Sequence, residues 1–174
     1  MAERFSFGVI MLSFIIGIAV LHSAYWTPCF DSDFNLVFRY GHYHVEAKNE
    51  LNTFRGSYTR DMVRGSPITV KLCLTREDLD RIYVKMVEID FFSYPDVFHI
   101  PLSGNVIGEA SHWNTYYIMV QNGTKVKTVR WNNRYLISDN EEYDNLMELA
   151  NLIWKIIESK PEYQRIPEPR AGYA

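Results

Sequence analysis

The sequence predicts an α+β fold: a mainly antiparallel sheet with two amphipathic helices on one face, preceded by one N-terminal transmembrane helix. Apolar residues alternate with a period of two in several segments, recur at spacings of three and four in two others, and fill one uncharged run near the N-terminus. The order strands, helix, strands, helix fits this architecture. We expect a membrane segment at residues 1–26, an extracytoplasmic domain at 27–160 and an extended, proline-containing tail at 161–174.

Length and composition limit the classes of protein. The chain has 174 residues, of which 47% are hydrophobic, and its net charge is −3. This length is enough for one domain with its own core, and this hydrophobic share excludes disorder as the dominant state. The 21 acidic and 18 basic residues argue against a nucleic-acid-binding domain, which normally carries a basic excess.

The N-terminal run predicts a membrane anchor. Residues 5–26 contain no Asp, Glu, Lys or Arg. As a helix these 22 residues would extend about 33 Å, enough to cross a hydrocarbon core of about 30 Å. Tyr25 and Trp26 would lie at the level of the headgroups.

Two fates of this run stay open, a retained anchor and a cleaved signal peptide that would leave a secreted protein. Cleavage after Ser23 or after Ala24 would not place small residues at both required positions, so retention is favoured. Arg4 precedes the run, and the first basic residue after it is Arg39. The positive-inside rule therefore favours a domain outside the cytoplasm.

The chain has two cysteines, Cys29 and Cys73. In an oxidising compartment they could form one disulfide, and the alternative is two unpaired thiols. The spacing alone does not decide between these alternatives, because a disulfide depends on the separation of the Cα atoms.

Three strands are predicted in the first half of the domain. Alternation from Phe34 to Tyr40 predicts the first strand, and the polar segment Gly41–Asn49 ends it. Residues 51–63 predict a second strand, with Gly56 as a bulge or bend. Alternation from Ile68 to Leu74 predicts a third strand.

A helix follows the third strand. Thr75 and Asp78 form a variant capping box, with Asp in place of Glu or Gln. The apolar residues Leu79, Ile82, Tyr83, Met86 and Ile89 then recur at helical spacing. Tyr94-Pro95 ends the element, and one short strand is expected near residues 97–102.

A hairpin and a second helix complete the domain. Residues 115–121 and 124–131 flank Asn122-Gly123, which predicts a two-residue turn that places Gln121 opposite Thr124. The pattern leaves open which face of the hairpin meets the core. A cap within Ser138–Asn140 begins the last helix and Pro161 ends it. Its apolar positions are Tyr143, Leu146, Met147, Ala150, Ile153, Trp154 and Ile157.

Two stretches are similar to a known family. Residues 52–62 (NTFRGSYTRDM) and 74–95 (LTREDLDRIY followed by KMVEIDFFSYP) resemble a group of small prokaryotic exported or lipoprotein-like proteins. The resemblance covers residues 49–96, with a weaker similarity at Gly172-Tyr173, and Ser57 and Arg60 replace the family's usual Thr and Lys. It implies export and a single domain. The family has no assigned function, so it brings no catalytic residues.

The most site-like group is His42, His44 and Glu46. In an extended chain alternate residues share a face, so the three side chains could ligate Zn²⁺. The alternative is a solvated polar loop between two strands. His99 and His112 could join such a site only in a suitable fold.

Other polar groups give no catalytic or cofactor site. Residues 58–61 alternate between the two faces of a strand, so a hydrogen-bonded cross-strand patch is the favoured interpretation. The carboxylates Asp78, Asp80, Glu88 and Asp90 fit a solvated helix face. The chain has no phosphate-binding glycine loop, nucleophile elbow or zinc-protease motif.

The sequence therefore favours a non-catalytic, membrane-anchored module outside the cytoplasm that binds an envelope protein or a small ligand. One alternative is a metal-binding protein or enzyme that uses His42, His44 and Glu46. Another is a structural accessory subunit of a membrane complex.

Overall fold

The computed structural model describes residues 33–43, 47–100 and 106–173. Eight strands, three α-helices and one 3₁₀ helix lie within these ranges. The strands are β1 (Phe34–His42), β2 (Asn49–Asn52), β3 (Ser57–Arg60), β4 (Ile68–Lys71), β5 (Val106–Glu109), β6 (Asn114–Asn122), β7 (Lys125–Asn132) and β8 (Tyr135–Ile137). The helices are α1 (Arg76–Glu88), the 3₁₀ helix (Phe91–Ser93), α2 (Glu141–Glu158) and α3 (Pro161–Gln164).

The strands form one large and one small sheet. The large sheet has the order β4-β3-β2-β1-β6-β7, and each neighbouring pair is antiparallel. Strands β5 and β8 form a separate antiparallel pair. The predicted α+β class with a mainly antiparallel sheet and two main helices is confirmed.

The first half of the chain differs from the prediction at two points. Strand β1 continues through Gly41 and His42, because β6 pairs with it along its whole length. The single strand predicted at residues 51–63 is two strands, β2 and β3, which pair across a turn at residues 53–56. Gly56 belongs to this turn and has a φ of 58°, a conformation that glycine adopts without steric cost.

The predicted hairpin forms, with a register shifted by two residues. Asn122 pairs with Lys125, so the loop is Gly123-Thr124 instead of Asn122-Gly123. Gly123 has a φ of 58° whereas Thr124 has no positive φ, which fits a type II′ turn with glycine at its first central position. A shift of two residues preserves the faces of both strands.

The loop before this hairpin also differs from the prediction. Near the expected strand at residues 97–102, Val97 forms only an isolated parallel bridge with Arg130, and part of that expected range lies outside the described residues. The strand in this region is β5, and its pairing with β8 was not predicted.

Both long helices begin where their caps predict. The Thr75 side chain accepts from the Asp78 backbone N–H, and the Asp78 carboxylate accepts from the Thr75 N–H at 2.8 Å. Asn140 caps α2 by accepting from the Tyr143 N–H at 2.8 Å. The tail differs from the prediction of an extended segment, because it begins with the helical turn α3. Ile166, which follows this turn, is buried.

The helices cover one face of the large sheet. The ring of Phe34 contacts Tyr83 of α1, and the ring of Tyr40 contacts Trp154 of α2, so the even-numbered positions of β1 face both helices. The hairpin face left open by the sequence is settled by burial of Ile118. The fully buried side chains of this core include Leu36, Phe38, Leu51, Tyr58, Leu72, Ile82, Met86, Phe91, Ile118, Leu146 and Leu149.

The opposite face of the sheet is polar and aromatic. Arg39 pairs with Glu50 at 2.6 Å. The guanidinium groups of Arg39 and Arg130 lie 5.6 and 5.8 Å from the centre of the Tyr117 ring. These contacts stabilise a solvated surface by cation–π attraction, and neither long helix covers this face.

The predicted membrane segment lies outside the described residues. Among residues 33–43, 47–100 and 106–173, no helix has the length and hydropathy needed to cross a bilayer.

Candidate functional site

The antiparallel pairing of β1 with β6 brings aromatic side chains together under α2. Phe38 and Tyr40 share the helix-facing side of β1, and Tyr116 of β6 is the cross-strand partner of Tyr40. Helix α2 places Ala150 and Trp154, which are four residues apart, over this part of the sheet. Two strands and one helix therefore enclose a common space.

This space is a cleft of about 280 Å³, which we call the aromatic cleft. The sheet forms the floor of the cleft, and α2 forms the wall opposite that floor. Tyr40, Tyr116 and Trp154 are each half-buried, and Asn151 is exposed. The lining residues are Phe38, Tyr40, Asn114, Tyr116, Ala150, Asn151 and Trp154.

The rings that line the cleft meet their neighbours at both steep and shallow angles. The centres of the Tyr40 and Trp154 rings are 4.9 Å apart, and the ring planes cross at 75°. In such an edge-to-face pair the ring that contributes its edge keeps both faces uncovered by its partner. Phe38 and Tyr40 are nearly parallel at 5.3 Å, which fixes the floor. Aromatic side chains on the sheet and on α2 therefore line the open volume of the cleft.

Hydrogen bonds hold the tyrosines in place. The hydroxyl of Tyr40 is 2.6 Å from the hydroxyl of Tyr58, which is fully buried, and either group can donate. The side-chain amide of Asn114 acts on the Tyr116 hydroxyl and lowers its pKa, which opposes the effect of burial. The bond between Tyr40 and Tyr58 satisfies both phenol groups within the protein and orients their rings.

The lining is neutral. Burial raises the pKa of the Tyr40 hydroxyl far above its ordinary value of 10.0, and the nearby Tyr58 adds to the rise. Burial also raises the pKa of Tyr58, although the hydrogen bond to Tyr40 opposes this rise. Burial raises the pKa of Tyr116 as well. All three phenols therefore stay protonated near neutral pH, and no charged side chain lines the cleft.

Helix α3 and the tail support the cleft from behind. Tyr163 contacts Trp154 at 5.6 Å and Tyr58 at 5.4 Å between ring centres. The Arg60 guanidinium lies 5.1 Å from the centre of the Tyr163 ring, donates to the Ile166 carbonyl and pairs with Glu168 at 2.6 Å. The C-terminal segment is thereby attached to the wall that holds Trp154.

A second aromatic group lies at the C-terminal end of β1, and we call it the rim cluster. It contains His42, Tyr43, His112, Trp113 and Tyr173. The rings of Tyr43 and Trp113 stack 3.5 Å apart at 17°, and those of His42 and Tyr173 stack 4.8 Å apart at 15°. The Tyr173 hydroxyl donates to the Asp61 carboxylate, which is buried.

The predicted metal site is placed only in part. His42 is buried in β1, where the sequence offered a solvated loop as its alternative, and its ring centre is 5.9 Å from that of His112. His44 and Glu46 lie outside the described residues, and His99 is exposed. Within the part of the chain that the structure describes, no three His, Cys, Asp or Glu residues are grouped to hold a metal ion. The site at His42, His44 and Glu46 stays a prediction.

The predicted cross-strand patch at residues 58–61 is present. The hydroxyls of Thr59 and Thr69 are 2.9 Å apart across β3 and β4. Tyr58 and Arg60 face the core instead and contact Tyr163. Tyr58 and Arg60 thus lie on one face of β3 and Thr59 on the other, as a strand requires, and Asp61 follows the end of the strand.

One predicted solvated carboxylate is buried. Asp78 is 8% exposed and pairs with Lys160, so it ties the start of α1 to the residue before α3. Burial alone would raise the pKa of Asp78, but its hydrogen bonds from Lys160 and Thr75 outweigh that effect and lower the pKa. Asp80, Glu88 and Asp90 are exposed as predicted.

Cys73 is disulfide-bonded. Cys29 lies outside the described residues, so the pairing of Cys29 with Cys73 stays a prediction.

Sequence reasoning did not find the aromatic cleft. It assigned Tyr40 and Trp154 to buried faces of a strand and a helix, without linking them. The available signal was the repetition of aromatic residues at Phe38, Tyr40 and Tyr116 on two predicted strands. Their meeting with Trp154 depends on the β1–β6 pairing, which local patterns do not specify.

Comparisons with known proteins identify no family for this chain. No family model matches the chain, and no curated protein matches it. Among solved structures, the motor domain of the kinesin-like protein KAR3 from Saccharomyces cerevisiae aligns at 12% identity and a TM-score of 0.19, over 90% of this chain and 50% of that one. The chain spans about half the length of that structure, and a TM-score this low carries no argument about fold or function.

Proposed function

We propose that the protein is a non-catalytic binding module, anchored in a membrane with its domain outside the cytoplasm, which takes a small neutral ligand in the aromatic cleft. The observation that carries this proposal is the cleft itself, with its half-buried Tyr40, Tyr116 and Trp154 and its uncharged lining. Ligand sites are concave, mostly apolar and furnished with a few polar groups that orient the ligand.

The size of the cleft favours a small ligand. Its volume of about 280 Å³ lies near the lower end of the range of roughly 300–1,000 Å³ typical of ligand sites. Such a space accepts a single ring or a short chain. A protein partner would need a much larger surface, on the order of 800 Å² per partner.

The chemistry of the lining favours binding over catalysis. A general base must lose its proton at working pH, and burial keeps the Tyr40 and Tyr116 phenols protonated by raising each pKa. The remaining polar groups of the lining, the amides of Asn114 and Asn151, can donate and accept hydrogen bonds. These groups position a ligand without transferring a proton.

A probe screen tests the binding proposal. The full chain, held in a zwitterionic detergent, is screened with small neutral ring compounds by ligand-observed NMR. We expect one or more probes to bind, to lose binding in Trp154→Ala and to keep it in the matched variant Trp113→Ala, which changes the rim cluster. Failure of every probe to bind, or equal binding to both variants, would contradict the proposal.

Membrane anchoring is tested separately. Replacing Ile15 and Ile16 by Arg puts two charges into the apolar run, and each costs about 2.5–3.5 kcal/mol at the centre of a membrane helix. We expect the double variant to leave the membrane fraction. The control Val126→Arg changes an exposed residue of β7 and should leave the fractionation unchanged. Retention of the double variant in carbonate-washed membranes would overturn the anchor.

A further inference from the structure

We propose that the aromatic cleft recognises a pyranose sugar unit; this inference rests on the proposed function and names the ligand class of the same site. Three features of the lining point to it. They are its aromatic surface, its two asparagine amides and its lack of charge.

The aromatic surface fits the C–H face of a saturated ring. The half-buried Tyr40, Tyr116 and Trp154 line the open volume, and Tyr40 and Trp154 meet edge to face at 75°. Phe38, which is 1% exposed, closes the floor beneath them. A flat ring that lies on such a surface buries its C–H groups while its hydroxyls point sideways to the rim.

The amides supply what those hydroxyls need. An asparagine side chain offers two N–H donors and one carbonyl acceptor, which match a pair of neighbouring hydroxyls that each donate and accept. Asn151 is exposed on α2 and lines the cleft. Asn114 is half-buried and lines it from β6, next to Tyr116.

The absence of charge in the lining weighs against ionic ligands. A phosphate or carboxylate would need basic donors, and none lines the cleft. A quaternary ammonium would be attracted by the rings. No carboxylate lines the cleft to balance that charge. A neutral polyol with one apolar face meets neither obstacle.

The experiment is calorimetric titration of the full chain in a zwitterionic detergent that contains no sugar. The probes are methyl pyranosides of the common hexoses and N-acetylhexosamines, with cyclohexanol, indole and choline as comparisons. We expect at least one pyranoside to bind about tenfold more tightly than cyclohexanol, because its hydroxyls bond to the amides.

Two variants locate the binding. Asn151→Ala changes an exposed residue and should weaken the pyranoside about tenfold without affecting the fold. Asn145→Ala is the matched control on the same helix outside the cleft, and it should leave affinity unchanged.

The outcomes separate this inference from the proposed function. Tighter binding of indole or cyclohexanol than of every pyranoside, with loss in Trp154→Ala, would overturn the sugar and keep the proposed neutral-ligand module. Tighter binding of choline than of every other probe would overturn both the sugar and the neutral ligand. Equal effects of Asn151→Ala and Asn145→Ala would overturn the assignment of the amides. Binding of none of these compounds would contradict both proposals.

Discussion

The aromatic cleft and the rim cluster are both rich in aromatic rings, and they differ in how those rings meet. In the rim cluster Tyr43 lies 17° from parallel with Trp113, and His42 lies 15° from parallel with Tyr173. Parallel stacking covers one face of each ring with protein. In the cleft the planes of Tyr40 and Trp154 cross at 75°, which leaves ring surface next to an open volume. Near-parallel pairs occur in the cleft as well, at Phe38–Tyr40 and Tyr116–Trp131, so the difference lies in the edge-to-face contact of Tyr40 with Trp154.

The two regions also differ in the surroundings of a polar side chain. In the rim cluster the Tyr173 hydroxyl is bonded to the buried Asp61, and this contact fastens the C-terminal segment to the domain. In the cleft Asn151 is exposed and adjoins the ring surface. We infer that the rim cluster stabilises the fold and that the cleft binds the ligand.

Replacing Trp154 of the cleft and Trp113 of the rim cluster should give the largest difference in stability. Trp154→Ala should lower the free energy of unfolding by about 2–3 kcal/mol, because the half-buried ring contacts Tyr40 and Tyr163. Trp113→Ala should cost about 1–2 kcal/mol, the value of a stacked pair and a cation–π contact with Arg134. Urea unfolding measures both costs. A larger loss from Trp113→Ala would reverse the comparison.

The hydroxyl pair behind the cleft gives the next effect. Tyr40→Phe should cost about 1–2 kcal/mol, because it removes the partner of the fully buried Tyr58 hydroxyl. The double variant Tyr40→Phe/Tyr58→Phe should cost less than the sum of the two single changes, since no hydroxyl is then left unpaired. Tyr117→Phe, on the face that the long helices do not cover, should change stability by less than about 0.5 kcal/mol. Additive costs of the two single changes would show that the hydrogen bond does not couple these residues.

Sequence patterns predicted the parts of this molecule that depend on neighbouring residues. The capping box at Thr75 and Asp78 and the cap at Asn140 lie within one helical turn of what they stabilise, so both were predicted. The hairpin was predicted with the wrong register, because both Asn122-Gly123 and Gly123-Thr124 are acceptable two-residue turns.

Features that depend on long-range pairing were missed. The burial of Asp78 requires Lys160, which is distant in sequence. The helical turn at the start of the tail depends on Tyr163 packing against Tyr58 and Trp154. The cleft needs β1 beside β6 and α2 above both, and no local pattern states that arrangement.

The smallest expected effect concerns the rim cluster at alkaline pH. Burial and the hydrogen bond to Asp61 raise the pKa of Tyr173 from 10.0 to about 12. A group whose pKa is raised in the folded state contributes its full stabilisation at pH values below its unfolded pKa. The stabilisation by Tyr173 should therefore persist up to about pH 10 and disappear as the pH rises through about 12. Burial likewise raises the pKa of Tyr143 to about 12. Urea midpoints measured from about pH 8 to about pH 11 should fall less steeply in Tyr173→Phe than in the parent chain. Identical slopes in the two chains would show that ionisation of Tyr173 does not contribute to the loss of stability at alkaline pH.

The claim that the aromatic cleft binds the ligand is tested most directly at its own tryptophan. The chain has four tryptophans, and the indole N–H resonances of Trp154 and Trp113 are assigned by their loss in the two alanine variants. During titration of the full chain with the tightest neutral probe, we predict that the Trp154 resonance moves and saturates while the Trp113 resonance stays in place. Movement of Trp113 with Trp154 unchanged at saturating probe would contradict the account.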